Sequence, residues 1–402
     1  MEEWKEYKLG DLIVLSSGGT PNTSNSSYWG GDIPWISAKA MYADYLYSSD
    51  MTITREGLSN GSKLAPINSI LLLTRGSGLF NRIPVCLVKR EMAFNQDLKC
   101  IESINNNTVS NLFLFYWLMG NKQELSNILE TTGIGAGKID TERLKSIHIK
   151  IPPIQIQQVL IEFAESLMLK IEVNKRINDN LEKQAQALFK SWFVDFNPFK
   201  DGEFVESEVG MIPKGWRAGT LSEIANITMG TSPSGASYNV NGEGEVFYQG
   251  RAEFGYRFPH RNMYTTEPKR YAEDGDVLLS VRAPVGDVNI ANERCCIGRG
   301  LAAIGSESCP SYILYLVKSL KSVFEQYNGE GTVFGSINKK TLEGLRIIVP
   351  ESKYIERFEK VANPLDGQIR CKEEESRRLA SLRDTLLPKL MSGELKLNEV
   401  NV

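Results

Sequence analysis

The sequence predicts an α+β protein: two α/β domains, repeated about a pseudo-two-fold axis and separated by a long antiparallel two-helix coiled coil. Three observations predict it. A Gly-rich loop, a short strand, a proline and a long apolar-periodic helix occur twice; both helical stretches are far longer than a globular helix; and the openings of the two globular parts also match.

The repeat comes first because it sets the plan of the chain. Gly133, Gly137, Ile139, Leu144, Ile147, Ile149, Ile151 and Pro152 are answered by Gly331, Gly335, Ile337, Leu342, Leu345, Ile347, Val349 and Pro350, each pair 198 positions apart (331 minus 133). After each proline a helix begins. From Ile154 to Phe193 the apolar residues Leu160, Phe163, Leu167, Ile171, Ile177, Leu181, Leu188 and Trp192 keep to one narrow seam among Glu, Lys, Gln and Asn. Such a stretch makes a rod about 55 Å long, against a usual helix of about 11 residues, and a rod of that kind needs a partner. The second copy supplies it in Ile355, Phe358, Val361, Leu365, Ile369, Leu379, Leu382, Leu386 and Leu390. The first helix leads towards the second globular part and the second helix leaves it, so the two lie side by side only if antiparallel. Pro364 and Gly367 interrupt the second pattern and predict a kink or break near Ala362 to Pro364.

The globular parts read as follows. Trp4, Leu9, Asp11 and Leu12 open the first; Ser16 to Pro21 is a Gly/Ser turn; Ile33 to Ser37 and Ile70 to Thr74 are strands; Asn111 to Leu129 is a helix with Leu112, Phe115, Tyr116, Met119 and Leu125 on one face. The polar stretch Asp195 to Lys214, with Pro198, Gly202, Gly210 and Pro213, marks a boundary. Beyond it Trp216, Leu221, Glu223, Ile224 and Pro233 match Trp4, Leu9, Asp11, Leu12 and Pro21 at an offset of 212 (216 minus 4). Ile70 to Arg75 is answered by Val277 to Arg282 at an offset of 207 (277 minus 70), and Tyr312 to Tyr327 answers the first helix. Offsets that drift between anchors mean matching scaffolds with different loops, where readers of different targets diverge. The expected organisation is a domain over 1–152, a central helical region over 153–196, a linker over 197–214, a second domain over 215–350 and a C-terminal helical region over 351–402.

Composition excludes several classes. With 402 residues, 42% apolar and 24% charged, the chain is of ordinary soluble make-up. The longest apolar run, Leu112 to Met119, is too short for a bilayer, and no secretory signal precedes Trp4, so the cytoplasm is the expected location, with no membrane partner. Six cysteines without C-x-x-C spacing and two histidines, His148 and His260, argue for ordinary thiols over a zinc site. A net charge of -3 gives no basic signature, so a nucleic-acid partner requires local positive charge. The sequence contains no phosphate-binding G-x-x-x-x-G-K-[ST] loop, no dinucleotide glycine pattern and no metal-ligand cluster. The Gly133 to Lys138 and Gly329 to Gly335 loops lead into strands and read as tight turns, the alternative being a phosphate contact by an amide or Lys138. Asp195 to Phe199 (DFNPF) has one proline too few, and follows a helix, for the Asp/Asn-Pro-Pro-aromatic motif of amino-methyltransferases.

Taken together these features resemble the specificity subunit of type I restriction-modification systems, over essentially the whole chain. The strongest local marks are Leu188 to Phe199 (LFKSWFVDFNPF) and Leu382 to Leu395 (LRDTLLPKLMSGEL), each ending a helical region; the opening around Trp4, preceded by Glu3, is a weaker one. The resemblance implies two target-recognition domains and a non-catalytic subunit. In that family the subunit binds double-stranded DNA and two modification subunits, which carry S-adenosylmethionine and methylate adenine N6, and restriction subunits that use ATP and Mg complete the complex, so the resemblance implies the same partners here. This chain itself would hold no cofactor.

Candidate DNA contacts follow from side-chain chemistry, since Arg, Asn and Gln make the bidentate contacts that distinguish guanine and adenine. They are Arg75, Ser77, Asn81 and Arg82, with Lys138; Arg282 at the equivalent place in the second domain; and a second cluster of Tyr248, Gln249, Arg251, Arg257, His260 and Arg261. Solvated surface arginines are the competing reading. Tyr28, Trp29 and Trp35 read as core, with packing on a sugar or base as the alternative. Partner docking is assigned to exposed aromatics Phe189, Trp192, Phe193 and Phe196, with Leu386 and Leu390, core packing again competing. Two rival functions remain: a coiled-coil scaffold whose end domains bind protein, and an enzyme with its site between duplicated β domains.

Overall fold

The structure is a computed structural model that describes residues 4–133, 135–329 and 335–396. Gly331 of the second repeat loop and Glu3 lie outside them. The chain divides into two compact units, Met1–Glu172 with Arg377–Val402, and Val173–Ser376. Each unit holds one α/β domain and a segment of each long helix, Ile154–Phe189 and Ser352–Ser392.

In the first unit, Lys5–Lys8 pairs antiparallel with His148–Ile151 and closes the domain. Five strands, in the order Ile13–Ser17, Leu98–Ser103, Ile70–Leu73, Val85–Val88 and Tyr45–Leu46, form one sheet. Thr52–Ile53, Trp29–Ile36, Met92–Phe94 and Lys63–Ala65 form another. The run Ile70–Leu73 is buried throughout, as an unbroken apolar strand implies. Over it lies Asn111–Gly120, which starts where the Ser110 hydroxyl accepts the Phe113 N–H at 3.1 Å; Phe113 to Met119 are all buried. The single helix expected to Leu129 stops here. The Asn121 side chain donates to the Trp117 carbonyl at 2.8 Å, a local bond that competes with helix continuation. The chain restarts as Lys122–Asn127 and becomes a strand at Leu129.

The second unit repeats this plan. Arg217–Thr220 pairs with Arg346–Val349. One sheet runs Asn226–Met229, Leu301–Gly305, Val277–Ser280, Val288–Ile290; the other runs Tyr238–Asn239, Tyr264–Thr265, Glu245–Tyr248, Cys295–Ile297, Tyr271–Ala272. Both domains contain the same parallel pairing, Trp35 and Ile36 against Ala93 and Phe94, and Phe247 and Tyr248 against Cys296 and Ile297. The matched residues Asp140 and Asn338 both cap short helices: Asp140 accepts from Glu142 and Arg143 amides, which hold its carboxyl below the usual range, and Asn338 accepts from Thr341.

Helix direction can be read inside each unit. The first domain's core takes in Leu160, Ile161, Ala164 and Met168 near the start of the first long helix, and Leu387, Leu390 and Met391 near the end of the second. The second domain's core takes in Ala185, Phe189 and Phe193 with Phe358 and Ala362. Start meets end in both, so the pair is antiparallel. The break expected at Pro364 does not occur: the second helix is continuous from Ser352 to Ser392. Phe358, Ala362 and Ile369 are fully buried on either side of the proline, and packing of that extent offsets the roughly 3 kcal/mol a helical proline costs. The expected linker is also structured, holding a hairpin of Phe204–Ser207 and Gly210–Pro213 with Ile212 buried. No described helix is long and apolar enough to cross a membrane.

Candidate nucleic-acid interface

One end of the central strand in each domain carries the same construction. Ile70–Leu73 ends at Thr74, whose N–H and hydroxyl donate to the Asp97 carbonyl at 2.9 and 3.0 Å. The next residue, Arg75, stands opposite Lys138 across a short antiparallel pairing. In the second domain Val281 donates its N–H to the Gly300 carbonyl at 2.9 Å, and Arg282 forms a β-bridge with Ser336. The offsets of 207 and 198 therefore meet at one bridge: Arg75 with Lys138, Arg282 with Ser336.

The glycine loop before Lys138 is a tight turn. Gly135 has φ of +78°, its N–H donates to the Thr132 carbonyl at 2.8 Å, and the Thr132 N–H donates to Ala136 at 2.7 Å. Arg75, Ser77, Asn81, Arg82 and Arg282 are exposed, while Lys138 is half-buried and 3.8 Å from Asp140. Among the described residues Arg75, Arg82 and Arg282 form no salt bridge, so their guanidinium groups are open to an anion or a base edge. Phe80, 50% exposed between Ser77 and Asn81, belongs to the same loop and was not singled out from the sequence.

A turn flanks this end in both domains. Gly18 to Pro21 lies on the loop after Phe94, and Gly230 to Pro233 lies on the loop after Ile297, through Gly19 N–H to Phe94 O at 2.8 Å and Thr231 N–H to Ile297 O at 3.0 Å. A Cβ at Gly18 would stand 2.1 Å from the Phe94 oxygen, and one at Gly230 2.1 Å from the Gly298 oxygen. The turn places Thr20 against Gln96, its hydroxyl donating to Oε1 at 2.7 Å. It places Ser232 against both the Arg299 N–H, at 3.2 Å, and Gln249, whose Nε2 donates at 3.1 Å. Thr20, Gln96, Ser232 and Arg299 were missed by sequence reasoning, although the offset of 212 carries Thr20 onto Ser232.

The second expected cluster is dispersed. Gln249 joins the face just described, and Arg251, His260 and Arg261 are exposed, Arg251 paired with Asp287 and Arg261 with Glu293. Tyr248 and Arg257 are corrections. Tyr248 is fully buried in a strand, at the place Ile36 takes in the first domain. Arg257, 3% exposed, is held by Glu182 of the first long helix and Asp366 of the second. Around it, Tyr315 donates to Asp366 at 2.7 Å and Lys318 pairs with Glu182; burial, with the Arg257 charge adding to it, pushes the Lys318 amine down. A buried cation so satisfied is structural and cannot meet DNA. Trp35 is core, its Nε1 donating to Gly19 at 3.1 Å, and Tyr28 and Trp29 are half-buried.

The docking assignment also changes. Phe189, Phe193 and Leu390 are buried, with the Phe193 ring centroid 5.0 Å from Tyr312 and 5.4 Å from Phe358, so core packing claims them. Trp192, Phe196 and Leu386 are half-buried against the same cores. The large apolar side chains that the first long helix does expose are Ile154, Ile156, Val159 and Leu169 in the first unit and Val173 and Ile177 in the second. Among the described residues, no group of three or more His, Cys, Asp or Glu could hold a metal ion.

Comparison with known proteins bears on the family and fold of the chain as a whole. The family of the type I restriction modification DNA specificity domain matches residues 1–183 and 213–366. Among curated relatives, the putative type I restriction enzyme MjaX specificity subunit of Methanocaldococcus jannaschii is 29% identical, covering 98% of this chain and 94% of that one. The MjaIX specificity subunit of the same organism is 28% identical over 99% and 95%. The solved S subunit of a type I restriction-modification system from M. genitalium shares the fold, with a TM-score of 0.57, 16% identity and coverage of 97% and 96%. With both domains matched, the chain belongs to the type I restriction modification DNA specificity family, as a specificity subunit that confers recognition of DNA sequence.

Proposed function

We propose that the chain reads a two-part target in duplex DNA, one part per domain, and that modification subunits dock on its long helices to methylate adenine N6 there. The observation that carries this reading is the duplicated strand end: the same bridge, the same flanking turn and the same exposed arginine in two domains whose surrounding side chains differ. Two copies of one scaffold with different side chains suit two different words. In each unit taken by itself the exposed apolar side chains of the first long helix give a partner something to bury, with Leu386 in the first unit and Trp192 and Phe196 in the second contributing their exposed edges. In this reading catalysis lies outside the chain. S-adenosylmethionine belongs to the modification subunits, ATP and Mg to restriction subunits that complete the assembly, and the assembly works in the cytoplasm.

The test is to map N6-methyladenine in genomes of cells with and without the intact chain, then with residues 1–150 exchanged for the same region of a relative, then with Arg282→Ala. The expected result is methylation at a gapped target, lost without the chain. The exchange should rewrite one half of it and Arg282→Ala degrade only the other. An uninterrupted target word, or changes in both halves from either alteration, would overturn the reading.

A further inference from the structure

The flanking turn fixes one exposed residue in each domain at an equivalent place. Gln96 stands two positions after Phe94, and Arg299 two positions after Ile297; Phe94 and Ile297 are themselves matched by the parallel strand pairing. Each residue lies under the equivalent turn hydroxyl, Thr20 in one domain and Ser232 in the other. The adjoining backbone is held to the strand carrying Arg75 or Arg282 by the same hydrogen bond, Thr74 to Asp97 or Val281 to Gly300. The two places thus share their position after the strand, an adjoining turn hydroxyl and exposure, and differ in the side chain presented. Glutamine and arginine both make bidentate contacts in the major groove, to adenine N6 and N7 in one case and guanine O6 and N7 in the other.

The bonding at each place suits that use. The Thr20 hydroxyl occupies Oε1 of Gln96 at 2.7 Å, which orients the amide while Oε1 keeps a second lone pair and Nε2 remains a donor. Arg299 is exposed, its N–H anchored by Ser232 at 3.2 Å, and among the described residues its guanidinium forms no salt bridge.

We propose that Gln96 and Arg299 are equivalent specificity-determining residues, Gln96 reading an adenine in the half of the target recognised by the first domain and Arg299 a guanine in the half recognised by the second. This inference rests on the two-part reading above. It goes further in assigning one base to one side chain in each domain.

The test uses the full chain assembled with its modification subunits and a pool of duplexes randomised over the mapped target, at several salt concentrations. Gln96→Arg should convert one adenine position in one half to a guanine preference. Arg299→Gln should relax one guanine position in the other half, in each case by roughly ten- to hundredfold, with the salt dependence of binding unchanged. Both side chains are exposed, so unfolding temperatures should match the unaltered chain. Uniform weakening on every duplex with a reduced salt slope would make these phosphate contacts and overturn the assignment, as would unaltered preferences in both halves while the unaltered chain shows a two-part target. An unaltered chain with no two-part target would overturn the underlying reading and the inference with it.

Discussion

In the first unit, Arg383 of the second long helix reaches Asp44 in the domain's loop at 3.5 Å, with side chains 14% and 27% exposed. Beside them Tyr45 and Tyr116 share a hydrogen bond of 2.8 Å. In the second unit the sign is reversed: the domain's loop supplies the arginine, Arg257, and the two helices supply Glu182 and Asp366. Tyr315, which stands where Tyr116 stands in the matched helix, bonds Asp366 instead. The cores differ likewise, since the first unit joins helices to domain through Leu160, Ile161, Met168, Leu387, Leu390 and Met391, and the second through the rings of Phe189, Phe193 and Phe358. What the two units share is therefore the location of a contact, with its chemistry free to change as long as both partners change together. A charge left at such a place without its partner is the one combination that the fold penalises heavily.

The largest expected effect tests that asymmetry. Arg257→Ala strands two carboxylates in a buried place and should lower unfolding free energy by about 3 to 5 kcal/mol. Arg383→Ala, whose partner Asp44 is reached by water, should cost about 1 kcal/mol. Denaturant unfolding of the full chain measures both, and equal costs would break the distinction. Replacing Arg257, Glu182 and Asp366 together by Met and Leu should recover most of the loss, because a well-packed apolar substitute for a buried ion cluster is often neutral.

The junctions come next. Phe358→Ala should cost about 3 to 5 kcal/mol, and Leu390→Ala about 2 to 5 kcal/mol. Both are at most 1% exposed, and hydrogen exchange should place each loss in its own unit. Protection lost equally in both units would show that the two cores do not unfold separately.

The smallest effect is a pH dependence confined to the second unit. Gln157 accepts the Ser110 N–H at 3.1 Å, while Glu359 accepts the Tyr312 N–H at 2.6 Å. Burial, outweighing that bond, pushes the Glu359 carboxyl up to about 7 from 4.5. The folded chain then keeps a proton that the unfolded chain releases, so this group's contribution is fully present below about pH 4.5 and declines as pH rises to about 7. Glu359→Gln should remove the decline and, with the group's partial exposure to water weakening the effect, add roughly 1 kcal/mol at pH 8. Unfolding midpoints from pH 4 to 8 check the sign, and parallel slopes for the two proteins would contradict it.

Sequence legibility followed distance along the chain. The repeat was readable because Gly133 to Pro152 and Gly331 to Pro350 keep one offset and Ile70 to Arg75 and Val277 to Arg282 another, and the two offsets met in space at one bridge. The long helices were readable from their own periodicity. Phe189 and Phe193 were misplaced because helical spacing reveals a face but leaves its occupant unnamed; the occupants, Tyr312 and Phe358, lie more than a hundred residues on. Arg257 looked like a surface cation because its two carboxylates come from opposite ends of the unit's sequence. The break at Pro364 failed for the same reason, since packing from elsewhere outweighed a local preference. Gln96 and Arg299 escaped notice because no motif marks an exposed side chain whose significance comes from a matching place in another domain.

The glycines under the flanking turn bear on how such a protein acquires a new target. At Gly18 and Gly230 any side chain would collide with a carbonyl oxygen 2.1 Å away, so these positions tolerate essentially no substitution. Across the turn in space, though far along the chain, Gln96 and Arg299 are exposed, where surface substitutions usually change stability by less than about 0.5 kcal/mol. Random mutation is thus filtered unevenly within one small face of each domain: the turn is frozen while the side chains it flanks are nearly free to drift. On the two-part reading proposed above, new specificities become accessible by single steps through folded intermediates, and each domain can take such steps without the other.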